Sequence, residues 1–307
     1  MSLPAVPDFR DKLISLVLDS LPSPASKQSY KQALSRFLEW FAVNRKGETL
    51  TRSAVLQYRA SLLESGLSSA TVNLHLAAVK KLAQEAADNG MLAANLAQGI
   101  SRIKGIAKKG VRAGNWLTVG QAEDLLECPD ASTLAGKRDR AILGVLLGCG
   151  LRRQEAARLS FAHIQQRDAR WVIVDLVGKG QRVRTVPMPT WEKLLIDDWS
   201  SAGCLSEGIV FRGINRGDHL HSVSMTAQAI FDVVKKYSEH CGLQVAPHDL
   251  RRSFAKLAHK GKAALEQIQL SLGHASIQTT ERYLGVRQDL TDAPCDHLGI
   301  SMGPKAG

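Results

Sequence analysis

Three short stretches in the second half of the chain hold side chains of the kind that handle phosphate. In GCGLRRQEAARL, Arg152 follows a glycine turn and opens a helix, and Glu155 sits three residues on, on the same face. Backbone N–H groups and the helix dipole at such a start also attract an anion. In PHDLRRSFA, His248 and Arg251 are spaced so that both leave one side of a helix turn. In SLGHASIQTTERYLG, His274 follows a Leu-Gly turn and Tyr283 comes nine residues later, at the end of a short helix. Two guanidiniums can clamp the non-bridging oxygens of a phosphodiester through paired N–H donors, and a histidine can add a third. A phenol has a free pKa near ~10 and needs a proton acceptor to become a nucleophile; His248 is the natural candidate. Taken singly, each cluster also reads as solvated arginines or a satisfied histidine. Their combination and order carry the argument.

The elements that must position these residues can be traced by periodicity. Residues 9 to about 100 read as four or five short helices. One carries Tyr30, Leu34, Phe37, Leu38 and Phe41. A second carries Val55, Tyr58, Leu62 and Leu63 and ends at Gly66. A third carries Val72, Leu76, Val79 and Leu82, with Ser69 as N-cap and a stop near Asn89-Gly90. Thr118 and Gln121 have capping-box spacing at the start of a new helix, and a very apolar helix covers 137–149. A helix from Arg152 to Leu159 follows. WVIVDLV and RVRTVPM then look like two strands of a hairpin joined by Gly178-Lys179-Gly180-Gln181. Helices are expected again at about 190–199, 223–241, 249–259, 263–272 and 276–284. The expected fold is mainly α with a small hairpin or sheet. Its domains are a helical domain at 1–101, a basic linker at 102–114, a catalytic domain at 115–287 and a tail at 288–307.

Charge points to a polyanion. Among 307 residues, Lys and Arg number 40 against 29 Asp and Glu, a net +11. The excess is uneven: 16 basic against 8 acidic residues up to Arg112, and 24 against 21 after it. Within the linker, Arg102, Lys104, Lys108, Lys109 and Arg112 have no acid among them, which suits a segment lying along a phosphate backbone. Aromatics are only 5%, so a base-stacking platform is poorly supported. No phosphate-binding G-x-x-x-x-G-K-[ST] run exists, and no carboxylate cluster suggests a two-metal site. Asp218-His219-Leu220-His221 offers two histidines in a loop, more in keeping with coincidence than with a metal site. The five cysteines (Cys128, Cys149, Cys204, Cys241 and Cys295) have no metal-type spacing and fit reduced thiols. The first residues lack the pattern of a secretory signal, so a cytoplasmic, nucleoid-associated protein is expected.

In the order Arg, Lys, His-x-x-Arg, His, Tyr, the chain resembles the tyrosine recombinase family of phage integrases, Xer-type recombinases and integron and transposon integrases. The resemblance runs from about residue 20 to 287. It is specific in the second domain; in the first only helical make-up and length match. It implies a helical SAM-like core-binding domain joined to a catalytic domain as a two-domain DNA clamp. It also implies a site-specific enzyme that cleaves and rejoins strands through a covalent 3′-phosphotyrosine at Tyr283; that intermediate conserves the bond energy, so no ATP, cofactor or metal is expected. Arg152 in GLRRQE and Arg251 in HDLRR fall at the family's arginines, His248 and His274 at its histidines, and Glu155 at a supporting acidic position. Lys179 in GKG falls at its mobile lysine, the proton donor to the leaving 5′-oxygen, with Arg182 and Arg184 as close alternatives. Implied partners are duplex DNA with inverted half-sites and, in the synaptic complex, a homotetramer built from monomers or dimers, with room for accessory proteins. The alternatives are a type IB topoisomerase and a non-catalytic DNA-binding protein with a degenerate site.

Overall fold

The computed structural model describes residues 7–107, 115–178, 183–215, 217–274 and 276–284. The chain divides into two compact units that meet at Arg112 and Ala113. The helical periodicity of the first unit resolves into α1 (Pro7–Asp19), α2 (Pro24–Asn44), α3 (Arg52–Glu64), α4 (Ser69–Asp88) and α5 (Ala94–Ser101). Hydroxyl caps set the starts: Ser23 accepts from the Ser26 N–H and Thr51 from the Ala54 N–H. The cap of α4 is Ser68, not Ser69. Its extended backbone lets the hydroxyl accept the Thr71 N–H at 3.2 Å, while Ser69 is already helical. Leu34, Phe37, Phe41, Val55, Tyr58, Leu62, Val72, Leu76, Val79 and Leu82 meet in one core.

The start of the basic segment is held on this unit. Ile103 is buried. The Ile106 N–H donates to Asn73 Oδ1 at 2.7 Å, Asn73 Nδ2 donates to the Ile106 carbonyl at 2.9 Å, and Arg59 donates to the Lys104 carbonyl at 3.0 Å. Arg102 and Lys104 therefore present exposed side chains from a fixed backbone.

The second unit contains α6 (Val119–Glu127), α7 (Leu134–Gly148), α8 (Arg153–Ala157), β1 (Ile164–Arg167), β2 (Arg170–Val177), β3 (Val183–Pro187), α9 (Thr190–Ala202), β4 (Arg212–Ile214), β5 (Leu220–Ser224), α10 (Ala227–His240), α11 (Pro247–Lys260), α12 (Leu265–Leu272) and α13 (Ile277–Leu284). The Thr118–Gln121 capping box opens α6. The apolar α7 runs through the middle of the core, with Ala141, Ile142, Leu143, Val145 and Leu146 fully buried.

Three expectations are corrected here. The helix after Gly150 stops at Ala157, because the Leu159 carbonyl turns to accept the Val210 N–H at 2.8 Å. The hairpin is the outer part of a three-stranded antiparallel sheet, β1-β2-β3. Strand β1 escapes notice because Asp168 and Ala169, with φ of 48° and 57°, make its turn without a glycine to announce it. The helix expected from 223 begins at Ala227 behind the Thr226 cap, since 220–224 pairs with β4. In the loop between β4 and β5, Asp218 caps α7, accepting the N–H groups of Leu134 and Ala135 at 2.8 and 3.0 Å. Among the described residues no helix is long and apolar enough to cross a membrane.

Helices α7 and α9 pack so closely that a Cβ built on Gly144 would lie 1.7 Å from Glu192 Oε2. Glu192 is fully buried, and neither of its carboxyl oxygens has a hydrogen-bond partner among the described residues. Burial pushes its pKa well above the ordinary 4.5. A raised acid costs nothing below the unfolded-state pKa, and its penalty grows as pH rises toward the folded-state value. Glu192→Gln should therefore raise Tm by at least ~2 °C at pH 8, with the gain vanishing near pH 4.5. Parallel melting curves for the two proteins across that range would contradict the buried-acid account.

Candidate active site

Gly150 makes the turn that starts the site. Its φ is +59°, and a Cβ there would sit 2.7 Å from the Phe254 ring, so glycine both reverses the chain and lets it lie against α11. Arg152 then takes the N-cap position of α8 with extended backbone. Glu155, one turn into that helix, reaches back. Its Oε2 accepts the Arg152 backbone N–H at 2.7 Å, and its Oε1 accepts Arg152 Nη1 at 2.8 Å.

The same carboxylate binds two further arginines. Arg184 on β3 meets it edge-on, with Nη1 to Oε1 at 2.9 Å and Nη2 to Oε2 at 2.8 Å. Arg251 Nη1 lies 3.9 Å from Oε2. Arg251 is 1% exposed, and its guanidinium also donates to the carbonyls of Gly150 and Leu272. Sequence spacing thus correctly placed Arg152 and Glu155 on one face. The Arg184 pairing escaped it, because the partners are 29 residues apart. A signal existed: on β3, Arg184 alternates with Val186, which is fully buried. An arginine on the inward face of a strand needs a buried counter-charge.

The third stretch arrives through α12, which ends at Gly273 with φ of +61°. A Cβ on Gly273 would lie 2.9 Å from Arg184 Cδ, and Arg184 Nε donates to the Ser271 carbonyl at 2.8 Å. His274 follows, its Nδ1 2.9 Å from the hydroxyl oxygen of Thr280, which is fully buried in α13. Sequence reasoning missed Thr280. Helix α13, which carries Tyr283 in its last turn, packs on α11 and α12. His248 stands at the start of α11 with its side chain exposed to the cleft. That cleft, of about 360 Å³, is lined by Arg152, Arg153, Phe231, His248 and Arg251 among others. Arg153 lies over the Phe231 ring, 5.7 Å from its centroid.

Electrostatics follow from the arrangement. Burial pushes the Glu155 carboxyl up, but hydrogen bonds and charge from Arg184, then bonds from Arg152, outweigh it and leave the pKa at about 2. It stays ionised at any working pH; its contribution to stability is complete above about 4.5 and is lost only as pH falls toward 2. Partial desolvation, with Arg252 and Arg251 adding to it, holds His248 below the ordinary histidine value, against an opposing pull from Asp249. Desolvation and the charges of Arg251 and Arg152 bring His274 down to about 4. Both imidazoles are neutral at pH 7.

The structure brings Arg152, Glu155, His248, Arg251 and His274 into one neighbourhood. Arg184, an alternative to Lys179, is turned inward against Glu155, and its side chain is only 8% exposed. Lys179 and Arg182 lie outside the described residues, as do Lys108, Lys109 and Arg112. Among the described residues no group of three or more His, Cys, Asp or Glu is placed to hold a metal.

Comparison with known proteins fits this geometry. Residues 115–289 match the model of the phage integrase family, and residues 13–90 match that of the phage integrase N-terminal SAM-like domain. A tyrosine recombinase of Synechococcus elongatus is 26% identical over 310 residues, covering 95% of this chain and 94% of that protein. The tyrosine recombinase XerD of Ralstonia nicotianae is 28% identical over 270 residues, covering 85% and 83%. Among solved structures, a lambda integrase dimer bound to a core site superposes with a TM-score of 0.70 at 14% identity, covering 94% of this chain and 98% of that one. The XerH recombinase bound to its palindromic difH substrate gives 0.67 at 20%, covering 94% and 83%. With a catalytic-domain match over more than half of its length and a SAM-like domain before it, the chain belongs to the phage integrase family of tyrosine recombinases.

Proposed function

We propose that this site-specific recombinase, which cleaves and rejoins DNA, does so through a covalent 3′-phosphotyrosine at Tyr283, with Arg152 and Arg251 holding the scissile phosphate. The observation that carries the reading is the convergence of Arg152, Arg251 and His248 on one cleft around a shared carboxylate. The Tyr283 phenolic oxygen attacks phosphorus, the P–O5′ bond breaks, and the 5′-oxygen leaves as a hydroxyl. The phenolic proton passes to His248, which is neutral at pH 7. Lys179 gives its proton to the leaving oxygen. Charge gathers on the non-bridging oxygens, where the two guanidiniums donate. With the Thr280 hydroxyl donated to Nδ1 of His274, the ring proton sits on Nε2 and supplies a third donor. Attack of another strand's 5′-hydroxyl on the phosphotyrosine reverses every bond change and rejoins the DNA, so no external energy source is consumed.

Binding is the work of many phosphates. Arg102, Lys104, Lys108, Lys109 and Arg112 track the backbone of a duplex with inverted half-sites, and helices around 26–43 and 68–88 read its bases. The working assembly is four protomers on two duplexes.

Two measurements test these assignments. Tyr283→Phe should shift DNA in a gel yet form no SDS-resistant adduct, and an adduct from that variant would mean a different nucleophile. Arg152→Ala should slow cleavage by about 10²–10³-fold while affinity changes little, because one phosphate among many is lost; equal losses in both would contradict the clamp. Separately, replacing Arg102 and Lys104 together by Ala should reduce the slope of log affinity against log salt by about 2 on any duplex. An unchanged slope would remove these residues from the phosphate track.

A further inference from the structure

Arg184 has no part in the chemistry described above, yet it ties together two elements that frame the cleft. Its guanidinium spans both oxygens of Glu155, at 2.9 and 2.8 Å, while its Nε holds the Ser271 carbonyl at 2.8 Å. Its stem lies against Gly273, the residue before His274. It is not among the residues lining the cleft, and its side chain is only 8% exposed, so it does not face a bound phosphate. It also stands near the start of β3, where Arg184 pairs with Leu176 and the neighbouring Val183 with Val177.

We propose that Arg184 is a positioning residue for strand cleavage: by bridging Glu155 and the α12 terminus, it fixes where Arg152, Arg251 and His274 stand relative to the scissile phosphate. This inference rests on the reading of Arg152 and Arg251 as the phosphate clamp. The physical need is plain. Glu155 has two oxygens and several suitors. With Arg184 holding both oxygens in plane, the carboxylate has one orientation, and Arg152 shares Oε1 without being drawn fully away from the cleft. Without Arg184, Glu155 can turn to pair with Arg152 or Arg251 and pull either from its place. The Ser271 contact ties the same anchor to the turn before His274. A lysine could restore the charge, but as a point donor it cannot bridge two carboxylate oxygens and a carbonyl together. Misplacement of reacting groups by about 1 Å costs on the order of 10²-fold in rate.

The test uses the full chain and a nicked duplex carrying a site selected from random sequence by covalent capture on the wild-type protein. Single-turnover adduct formation, gel-shift affinity and Tm are measured for Arg184→Lys, Glu155→Gln, the double variant and Arg152→Ala. Arg184→Lys should slow cleavage by roughly 10–100-fold with affinity within about threefold. The double variant should be no more than about threefold slower than its slower single, since both residues act as one unit. A duplex with sulfur in place of the bridging 5′-oxygen should not restore the rate, because a thiolate leaves without a proton and rescues only a missing proton donor. If Arg184→Lys does not fold, Glu155→Gln/Arg184→Gln, which removes one charge of each sign and so keeps the net charge of the cluster, takes its place and should show the same loss. A wild-type rate in the folded Arg184 variant, with Arg152→Ala inactive, would overturn the inference and leave the clamp standing. Multiplied losses in the double variant, or rescue by the sulfur substrate, would also overturn it. A wild-type rate for Arg152→Ala would instead overturn the clamp reading itself.

Discussion

Arginine side chains repel one another, and a site for a DNA phosphate needs at least two of them close together before the DNA arrives. At an effective dielectric of ~20, two like unit charges ~4 Å apart repel by about 4 kcal/mol, so several uncompensated guanidiniums would spread apart. Here one buried carboxylate, Glu155, is shared by Arg152, Arg184 and Arg251. The cluster stays net positive, which a phosphodiester needs, yet it is held in place. Its positive field has a second consequence. Added to burial, which is the larger cause, it keeps His248 and His274 neutral, so one imidazole can accept a proton and the other can donate a hydrogen bond without adding charge.

The fold exists, in this view, to bring four distant stretches to that carboxylate. Each arrives on a short, sharply terminated element. Gly150 turns the end of α7 onto α11, and Gly273 turns the end of α12 past Arg184. Arg251 then bonds to carbonyls on both turns, at Gly150 and Leu272, so the buried guanidinium is a structural brace, whatever it does for the proposed phosphate. From Ala141 to Leu147 the α7 helix behind the site is apolar and buried on every side, and gives these turns a rigid support. Coupling of this kind makes the site intolerant of changes that leave its charge intact but alter its reach.

Local relations were legible in the sequence, and distant ones were not. Arg152 with Glu155, and His248 with Arg251, are one helical turn apart, so spacing alone put each pair on one face. The Thr118–Gln121 cap was equally local. Strand β1 was hidden because its turn uses Asp168 and Ala169 in left-handed conformations without glycine. Arg184 was hidden because its partner comes from elsewhere in the chain, and Thr280 because its partner, His274, precedes the helix that carries it; only strand alternation, placing Arg184 on the face of buried Val186, hinted that it turned inward. The Asp218-to-His221 loop, which might have suggested a metal from composition alone, supplies a helix cap instead.

The central claim is that a single carboxylate presents two guanidiniums to the same phosphate. The most direct measurement is a crystal structure of the Tyr283→Phe protein on its intact DNA site. The account predicts nitrogens of both Arg152 and Arg251 within about 2.7–3.2 Å of non-bridging oxygens on one phosphate, with Glu155 still bridging Arg152 and Arg184. Guanidiniums resting on two different phosphates, or a Glu155 released from both arginines, would contradict it.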